Sequence, residues 1–283
     1  MDARLQRRVQ RYGWDLAVRE YEPHWHAQLA AAHARMLACA GLAPGERVLD
    51  VACGTGLVSF AAARAVGVQG SVVGVDLSGE MVDAARRRAA QTHSLHATFA
   101  RMDAESLALP DGGFDVVLCA LGLMYVPDPK RALREMRRVL RPGGRLVAAV
   151  WGERARCGWA SVFGIVAAEV TSDVCPLFFH LGQHDTLARL CAGAGLEGLQ
   201  QHRISTTLDY ADADAACDAA FVGGPVALAW SRFNADAKVR ARARYVESIA
   251  AWRHGTGYRI PGEFVVVAAT VAAGCATGGA GPD

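Results

Sequence analysis

The sequence predicts an α/β fold, a doubly wound and mostly parallel sheet of seven strands. Apolar runs alternate with helical patterns between residues 46 and 151, and strands joined through helices pair in parallel by right-handed crossovers. The first apolar run ends in the glycine-rich loop VLDVACGTG (48–56), and a helical pattern begins at Leu57. A strand, a tight glycine turn and a helix form the first unit of a nucleotide-type sheet. The hydrophobic content of 52% is ample for a buried core.

The segment before this unit is predicted to be helical. Residues 1–21 fit a helix and a loop, and residues 25–40 fit a second helix that Gly41 and the Pro44-Gly45 turn would end. The core elements then follow in alternation. Strands are predicted over 46–51, 71–76, 95–101, 114–120 and 145–151, with helices near 57–66, 79–91 and 130–140.

The regular alternation breaks after Trp151. The pattern there predicts helices over 157–170 and 185–194, a strand near 197–208, a largely helical stretch over 211–255 and a strand over 263–272. We therefore divide the chain into an N-terminal helical lid (1–45), a core (46–210 and 263–272), a helical cap insertion (211–262) and a disordered tail (273–283). The cap insertion fits a cover over a hydrophobic small molecule, a buried helix pair or a dimer surface.

Charge and cysteine usage narrow the class of partner and the compartment. The 30 basic and 28 acidic residues leave a net charge of +2, which gives no electrostatic case for nucleic acid or an anionic membrane. No apolar run is long enough for a transmembrane helix, and the N-terminus lacks the apolar region of a secretory signal. The eight cysteines are scattered without CxxC spacing, which favours free thiols in a reduced, cytoplasmic protein and no metal site.

The glycine loop could hold one of three classes of ligand, namely a P-loop phosphate, a dinucleotide or another adenosine cofactor. A phosphate-binding P-loop requires GxxxxGK[ST], which the chain lacks. A dinucleotide fingerprint requires G-x-G-x-x-G/A; Gly54 and Gly56 fit it, but Ser59 occupies the third position. Asp76, at the end of the second predicted strand, is placed to accept both hydroxyls of a ribose. This acid does not by itself separate a nicotinamide dinucleotide from other adenosine cofactors.

The region 46–151 as a whole resembles the class I S-adenosylmethionine-dependent methyltransferases. Its closest resemblance is to the small-molecule branch around the ubiquinone/menaquinone-biosynthesis C-methyltransferases, and it weakens before residue 46 and after residue 152. The matching pieces, in order, are VLDVACGTG (48–56), VVGVDLSGEMV (72–82), MDAESLALPDGGFDVV (102–117), ALGLMYVPDP (120–129) and ALREMRRVLRPGGRLV (132–147). The resemblance implies a Rossmann-like methyltransferase fold and S-adenosyl-L-methionine as the cofactor.

The resemblance also implies roles for individual residues. Asp50, Ala52, Gly54 and Gly56 would hold the methionine part of the cofactor, Asp76 the ribose, Leu77 and Met81 the faces of the adenine, Asp103 and the Ala104 backbone its amino edge, and Leu121 the sulfonium end. The first glycine of the usual loop is Ala52 here. The N-terminal segment folds over the cofactor in the resembling family, which makes Tyr21 and Trp25 lid candidates together with Tyr12 and Trp14. Those aromatics would equally suit a helix that is simply packed onto the core.

Methyl transfer from a sulfonium is an in-line displacement, so the protein chiefly positions the nucleophile. A general base is optional and depends on the acceptor. Ligands of such sheets bind beyond the carboxyl ends of the strands, so we expect the acceptor near Trp25, Met124 and Trp151. The candidate bases are His26, Tyr125 and His180.

These observations favour methyl transfer to a small apolar or aromatic acceptor through oxygen, carbon, nitrogen or sulfur. A catalytically silent cofactor-binding partner and a metalloid or thiol methyltransferase are the alternatives. The [DNS]-P-P-[YF] motif of nucleic-acid amine methylation is missing, because Cys119-Ala120-Leu121-Gly122 occupies its place. We expect a small-molecule partner, no nucleic acid, no membrane and, as an option, a homodimer.

Overall fold

The predicted α/β architecture is confirmed in a computed structural model, which describes residues 2–170 and 178–273. The predicted tail lies, from residue 274 on, outside the described residues. The strands are β1 Arg47–Val51, β2 Ser71–Asp76, β3 Ala97–Arg101, β4 Phe114–Ala120, β5 Leu140–Trp151, β6 Glu197–Tyr210, β7 Arg253–His254 and β8 Gly257–Thr270. The helices are α1 Ala3–Ala40, α2 Leu57–Val66, α3 Gly79–Gln91, α4 Pro129–Val139, α5 Ser161–Ala167, α6 Thr186–Gly193, α7 Ala213–Phe221, α8 Ala227–Ser231 and α9 Ala235–Ser248.

The strands form one sheet in the order β3-β2-β1-β4-β5-β8-β6, with β7 paired to β8 alone. Strands β3 to β5 along this order are parallel, and β8 runs antiparallel to both β5 and β6. The order reverses between β1 and β4, and a crevice opens at such a switch point beyond the carboxyl ends of the strands. The sheet has one strand more than predicted, because Arg253–His254 turns back on the start of β8.

The core lies on both faces of this sheet. Val48 and Leu49 are neighbours on β1, both fully buried, and belong to different apolar clusters. Side chains alternate between faces along a strand, so each face of β1 is covered. No described helix combines the length and the apolarity that crossing a membrane would require.

For the N-terminal segment, the prediction of a helix, a loop and a second helix is wrong. The structure has a single helix of 38 residues, and Pro23 lies inside it. A proline in a helix removes a hydrogen bond and clashes with the preceding turn, at a cost of about 3 kcal/mol. Trp25, Leu29 and Met36 belong to a buried stripe on this helix, and burial of such a stripe offsets the cost of the proline.

The C-terminal part differs from the prediction mainly in its boundaries. The helix expected over 157–170 is shorter, since α5 covers only Ser161–Ala167. The last strand begins at Gly257 instead of residue 263, because its first residues pair with the end of β6, where Tyr258 faces Tyr210. The predicted insertion 211–262 therefore holds three helices, β7 and the beginning of β8.

The continuity of α1 predicts the effect of replacing Pro23, which is exposed. Pro23→Ala restores a backbone donor within an unbroken helix and should raise the free energy of unfolding by about 1–3 kcal/mol. Urea denaturation followed by circular dichroism measures the change. An unchanged midpoint would indicate that the helix breaks at this residue.

Candidate functional site

The turn between β1 and α2 is held by left-handed backbone conformations. Ala52, Gly54 and Gly56 have φ angles of 57°, 55° and 87°. At Gly56 a Cβ would stand 2.7 Å from the Phe60 ring, so this position excludes any side chain. The left-handed conformation costs a residue with a Cβ, such as Ala52, about 1–2 kcal/mol. The turn places the first backbone amides of α2 at the crevice, where they favour a polar or anionic ligand group.

The ends of β1 and β4 meet closely at this turn. A methyl group added to Gly122, which follows β4, would overlap the methyl of Ala52. Leu121 beside it also has a left-handed φ of 58°, and its N–H donates to the Ala149 carbonyl at 2.8 Å. The Ala52 methyl therefore occupies space that is free because residue 122 is a glycine. Alanine in place of the usual loop glycine at position 52 is thus accommodated by glycine at position 122.

Asp76 ends β2 and ties it to the turn. Its Oδ2 accepts the Gly54 N–H at 2.9 Å, and its Oδ1 accepts the Ser78 N–H at 2.8 Å. Burial raises the pKa of this carboxyl, against the lowering effect of the backbone hydrogen bonds. Each carboxylate oxygen has a second lone pair. The side chain is thus fixed in position and still able to accept ligand hydroxyls.

Asp50, at the end of β1, is fully buried under the turn. Its Oδ2 accepts the Ser59 hydroxyl at 2.5 Å. Its Oδ1 and the Thr55 Oγ1 are buried and have no hydrogen-bond partner among the described residues. Burial raises the pKa of Asp50 to about 7, and the charge of Asp76 adds to this effect. Unpartnered buried oxygens are rare in native folds, and these two lie beneath the turn without lining a cavity.

A cavity opens at this edge of the sheet. Eleven of the residues proposed from sequence line it, namely Trp14, Tyr21, Ala52, Gly54, Asp76, Leu77, Met81, Asp103, Ala104, Leu121 and Tyr125. Asp50 and Gly56 are not among its lining residues and lie within the turn itself. The structure therefore brings the sequence-proposed cofactor set together around one cavity and its turn.

Helix α1 covers this cavity with Arg7, Gln10, Trp14 and Tyr21. Arg7 Nε lies 3.0 Å from Asp103 Oδ2, and the same guanidinium pairs with Glu105. Sequence reasoning missed Arg7 and Gln10. Spacings of three, four and seven place the four residues on one face of the helix. All four precede Pro23, so this spacing is the signal that could have found Arg7 and Gln10.

A second, smaller cavity adjoins the first. The two share Trp14, Tyr21, Leu121 and Tyr125 in their walls. The remaining residues that line the second cavity are Trp25, Leu29, Met124, Trp151, Trp159, Phe178, Gly224 and Pro225. All of the lining side chains are uncharged, and most are aromatic. We call this second space the aromatic cavity.

The aromatic cavity contains the three residues proposed for the acceptor, Trp25, Met124 and Trp151. Sequence reasoning missed Trp159 and Phe178. Both follow the end of β5 in a stretch without regular alternation, so no periodicity assigned them to the site. The Trp151 and Trp159 ring centroids lie 4.8 Å apart, which shows that the fold joins aromatic residues that are separate in the sequence.

The candidate bases divide between different places. Tyr125 lines both cavities. His26 is exposed on α1, because successive residues of a helix point about 100° apart and Trp25 takes the buried direction. His180 is exposed and lines a separate depression with Lys130 and Arg134. The expectation that His26 or His180 acts at this site is therefore corrected, since neither lies at either cavity.

The Tyr21 hydroxyl and the Cys119 thiol near the turn are poor bases and nucleophiles. Burial, with Asp76, Glu22 and Asp50 nearby, raises the pKa of the Tyr21 hydroxyl well above its ordinary range. Burial likewise raises the pKa of the Cys119 thiol to about 12. Both groups are protonated at neutral pH and can donate hydrogen bonds. Within the described residues no group of three or more potential metal ligands lies together.

Comparison with known proteins gives consistent results. A family model described as a methyltransferase domain matches residues 48–144. The ubiquinone/menaquinone biosynthesis C-methyltransferase UbiE of Azotobacter vinelandii is 31% identical over 180 residues, which cover 58% of this chain and 71% of UbiE. A 37.1 kDa protein of transposon TN4556 from Streptomyces fradiae is 48% identical over 105 residues, 37% of this chain and only 30% of that protein. The crystal structure of YcgJ from Bacillus subtilis shares the fold, with a TM-score of 0.63 at 17% identity over 87% of this chain and 100% of that one.

The contact between Ala52 and Gly122 predicts coupled mutations. Gly122→Ala should lower the free energy of unfolding by about 1–3 kcal/mol through overlap with the Ala52 methyl, and Ala52→Gly in the same chain should restore most of the loss. Gly164→Ala is the matched control, because a Cβ there meets nothing within 4 Å. Additive effects of the two changes in urea denaturation would contradict the packing described here.

The buried carboxyl of Asp50 predicts a pH dependence of stability. Its pKa is about 7 in the fold and about 3.9 in an unfolded chain, so the folded state binds the proton more tightly. The contribution of Asp50 to stability is then fully present below pH 4 and is lost as the pH rises to about 7. The difference in unfolding free energy between wild type and Asp50→Asn should fall by on the order of 1 kcal/mol per pH unit in this window. A difference that stays constant from pH 4 to 7 would refute the shift.

Proposed function

This chain belongs to the class I S-adenosylmethionine-dependent methyltransferases, and we propose that it methylates a small, neutral, apolar or aromatic acceptor held in the aromatic cavity. One observation carries the proposal. A cavity lined by the adenosine-type loop and its acids shares Trp14, Tyr21, Leu121 and Tyr125 with a cavity lined by uncharged, mostly aromatic side chains. Because the two cavities share these residues, ligands bound in them would lie next to each other. A group transfer needs that proximity.

The residues at the first cavity fit S-adenosylmethionine. Asp76 would accept the ribose hydroxyls, and Leu77 and Met81 would lie against the adenine. The methionine part would lie against Ala52 and Gly54, which line the cavity, with the buried carboxyl of Asp50 beneath them. A cation near Asp50 would also favour the charged carboxylate and so lower its pKa, against the effect of burial. When bound, this cofactor would supply a methyl group carried on a positively charged sulfur. A nucleophile would attack the methyl carbon in line, and the sulfur would leave.

The residues at the shared wall act by position and by charge distribution. The aromatic faces of Trp14 and Tyr21 border both cavities, and each such face stabilises a nearby cation by about 1 kcal/mol. Their rings also keep water from the space between the ligands. Tyr21, held protonated by burial, would donate a hydrogen bond and not accept a proton. Tyr125 is the candidate that remains if the acceptor needs a base.

Titration calorimetry with S-adenosylmethionine and its demethylated product tests the cofactor site. We expect Asp76→Ala to weaken binding about a hundredfold, since two hydrogen bonds to a charged group are lost. Asp83→Ala is the control, an acid on α3 that does not line the cavity. Circular dichroism verifies that both variants fold, and equal affinity of wild type and Asp76→Ala would refute the ribose assignment.

Incubation with methyl-labelled cofactor and a panel of phenols, quinols, thiols and amines tests the transfer itself. Labelling of a neutral phenol or quinol supports the proposal. Tight cofactor binding without labelling of any acceptor would instead support a silent cofactor-binding protein. Failure to bind the cofactor at millimolar concentration would contradict both.

A further inference from the structure

The indole nitrogen of Trp159 lacks the partner that its burial calls for. The residue is 2% exposed, and its ring lines the aromatic cavity. Nε1 has no hydrogen-bond partner among the described residues. Trp25, in the same wall, is different, because its Nε1–H donates to the Ala219 carbonyl at 3.2 Å. Buried donors are almost always paired in native structures, so the exception at Trp159 needs an explanation.

The surroundings of Trp159 give its ring no freedom to find a partner elsewhere. Its centroid lies 5.7 Å from that of Trp25, 4.8 Å from Trp151 and 5.5 Å from Phe178. The backbone is equally confined, since a Cβ on Gly158 would stand 2.8 Å from the Trp252 ring. These neighbouring rings provide no strong hydrogen-bond acceptor. Within residues 2–170 and 178–273 Nε1–H has no acceptor, and a ligand in the cavity would supply one.

We infer that Trp159 is a specificity-determining residue, whose indole N–H donates a hydrogen bond to an oxygen of the methyl acceptor. The inference rests on the proposed function and narrows the substrate to a flat, neutral, largely apolar molecule that carries a carbonyl, hydroxyl or ether oxygen. A buried donor discriminates strongly against a ligand that leaves it unpaired. Trp159 selects and positions the substrate without taking part in bond making.

Charged ligands are disfavoured by the same residues. An aromatic enclosure by itself also suits a quaternary ammonium, but a donor N–H in the wall opposes a cation and gains no acceptor from it. A carboxylate would accept the bond, yet none of the described residues that line the cavity carries a positive charge to balance it. A neutral oxygen acceptor is the group that satisfies both the donor and the uncharged wall.

A matched pair of probes isolates the one atom in question. The ketone 2-acetylnaphthalene and the alkene 2-isopropenylnaphthalene differ only in C=O against C=CH₂. Calorimetry on the full chain, with and without S-adenosylhomocysteine, should show about tenfold tighter binding of the ketone to wild type. Trp159→Phe should abolish this preference, while Trp230→Phe, at a tryptophan that lines neither cavity, should retain it.

Several outcomes would overturn the inference. They are equal affinity of wild type for the two probes, retention of the preference in Trp159→Phe, tighter binding of phenyltrimethylammonium than of the ketone, and absence of binding by either naphthalene. If Trp159→Phe does not fold, wild type labelled with ¹⁵N-tryptophan provides the test. The ketone should move the Trp159 Nε1–H resonance downfield and the alkene should not, and identical shifts would refute the hydrogen bond.

The experiment separates this inference from the proposed function. The ketone preference is a binding ratio that requires no methyl transfer, so it can be observed in a chain that transfers nothing. Conversely, labelling of an acceptor together with equal affinity for ketone and alkene would uphold the transfer and reject the role of Trp159.

Discussion

The left-handed turn between positions 52 and 56 is the constraint on which the site depends. It joins the ends of three strands, since Gly54 N–H is bound by Asp76 on β2, and the Ala52 methyl fills the space beside Gly122 after β4. Cys53 N–H adds a bond to the Val75 carbonyl at 3.0 Å. A backbone fixed by three neighbouring segments can present amides and carboxylates without paying for their ordering each time a ligand binds.

Much of this arrangement could be predicted from the sequence because it is local. The strand that ends at Asp50, the glycines after it and the acid that ends β2 lie close along the chain. Their spacing follows from the geometry of one strand–turn–helix unit. The structure has Asp76 at the end of β2 and the left-handed turn after β1 where the sequence predicts them, whereas the ligand that they would hold is implied by the resemblance.

The remainder depends on contacts between distant segments. Periodicity could not show that α1 continues through Pro23, since the compensation comes from tertiary burial of Trp25 and its stripe. The aromatic cavity combines α1, the end of β5, Trp159 and Phe178, and no spacing rule connects those positions. The histidines were misplaced by the same limit. A residue type suggested the chemistry, whereas the helical phase and the path of the chain decided the location.

Helix α1 touches both cavities, with Arg7 and Gln10 at one and Trp25 and Leu29 at the other. Its far end is anchored where Arg145 Nε donates to the Ala40 carbonyl at 2.8 Å. If α1 moved as a rigid body about that end, its residues at both cavities would move together. A displacement of that kind that widens one cavity would change the shape of the other, and filling either cavity would then alter the free energy of filling its neighbour. By thermodynamic reciprocity, that influence would be equal in the two directions.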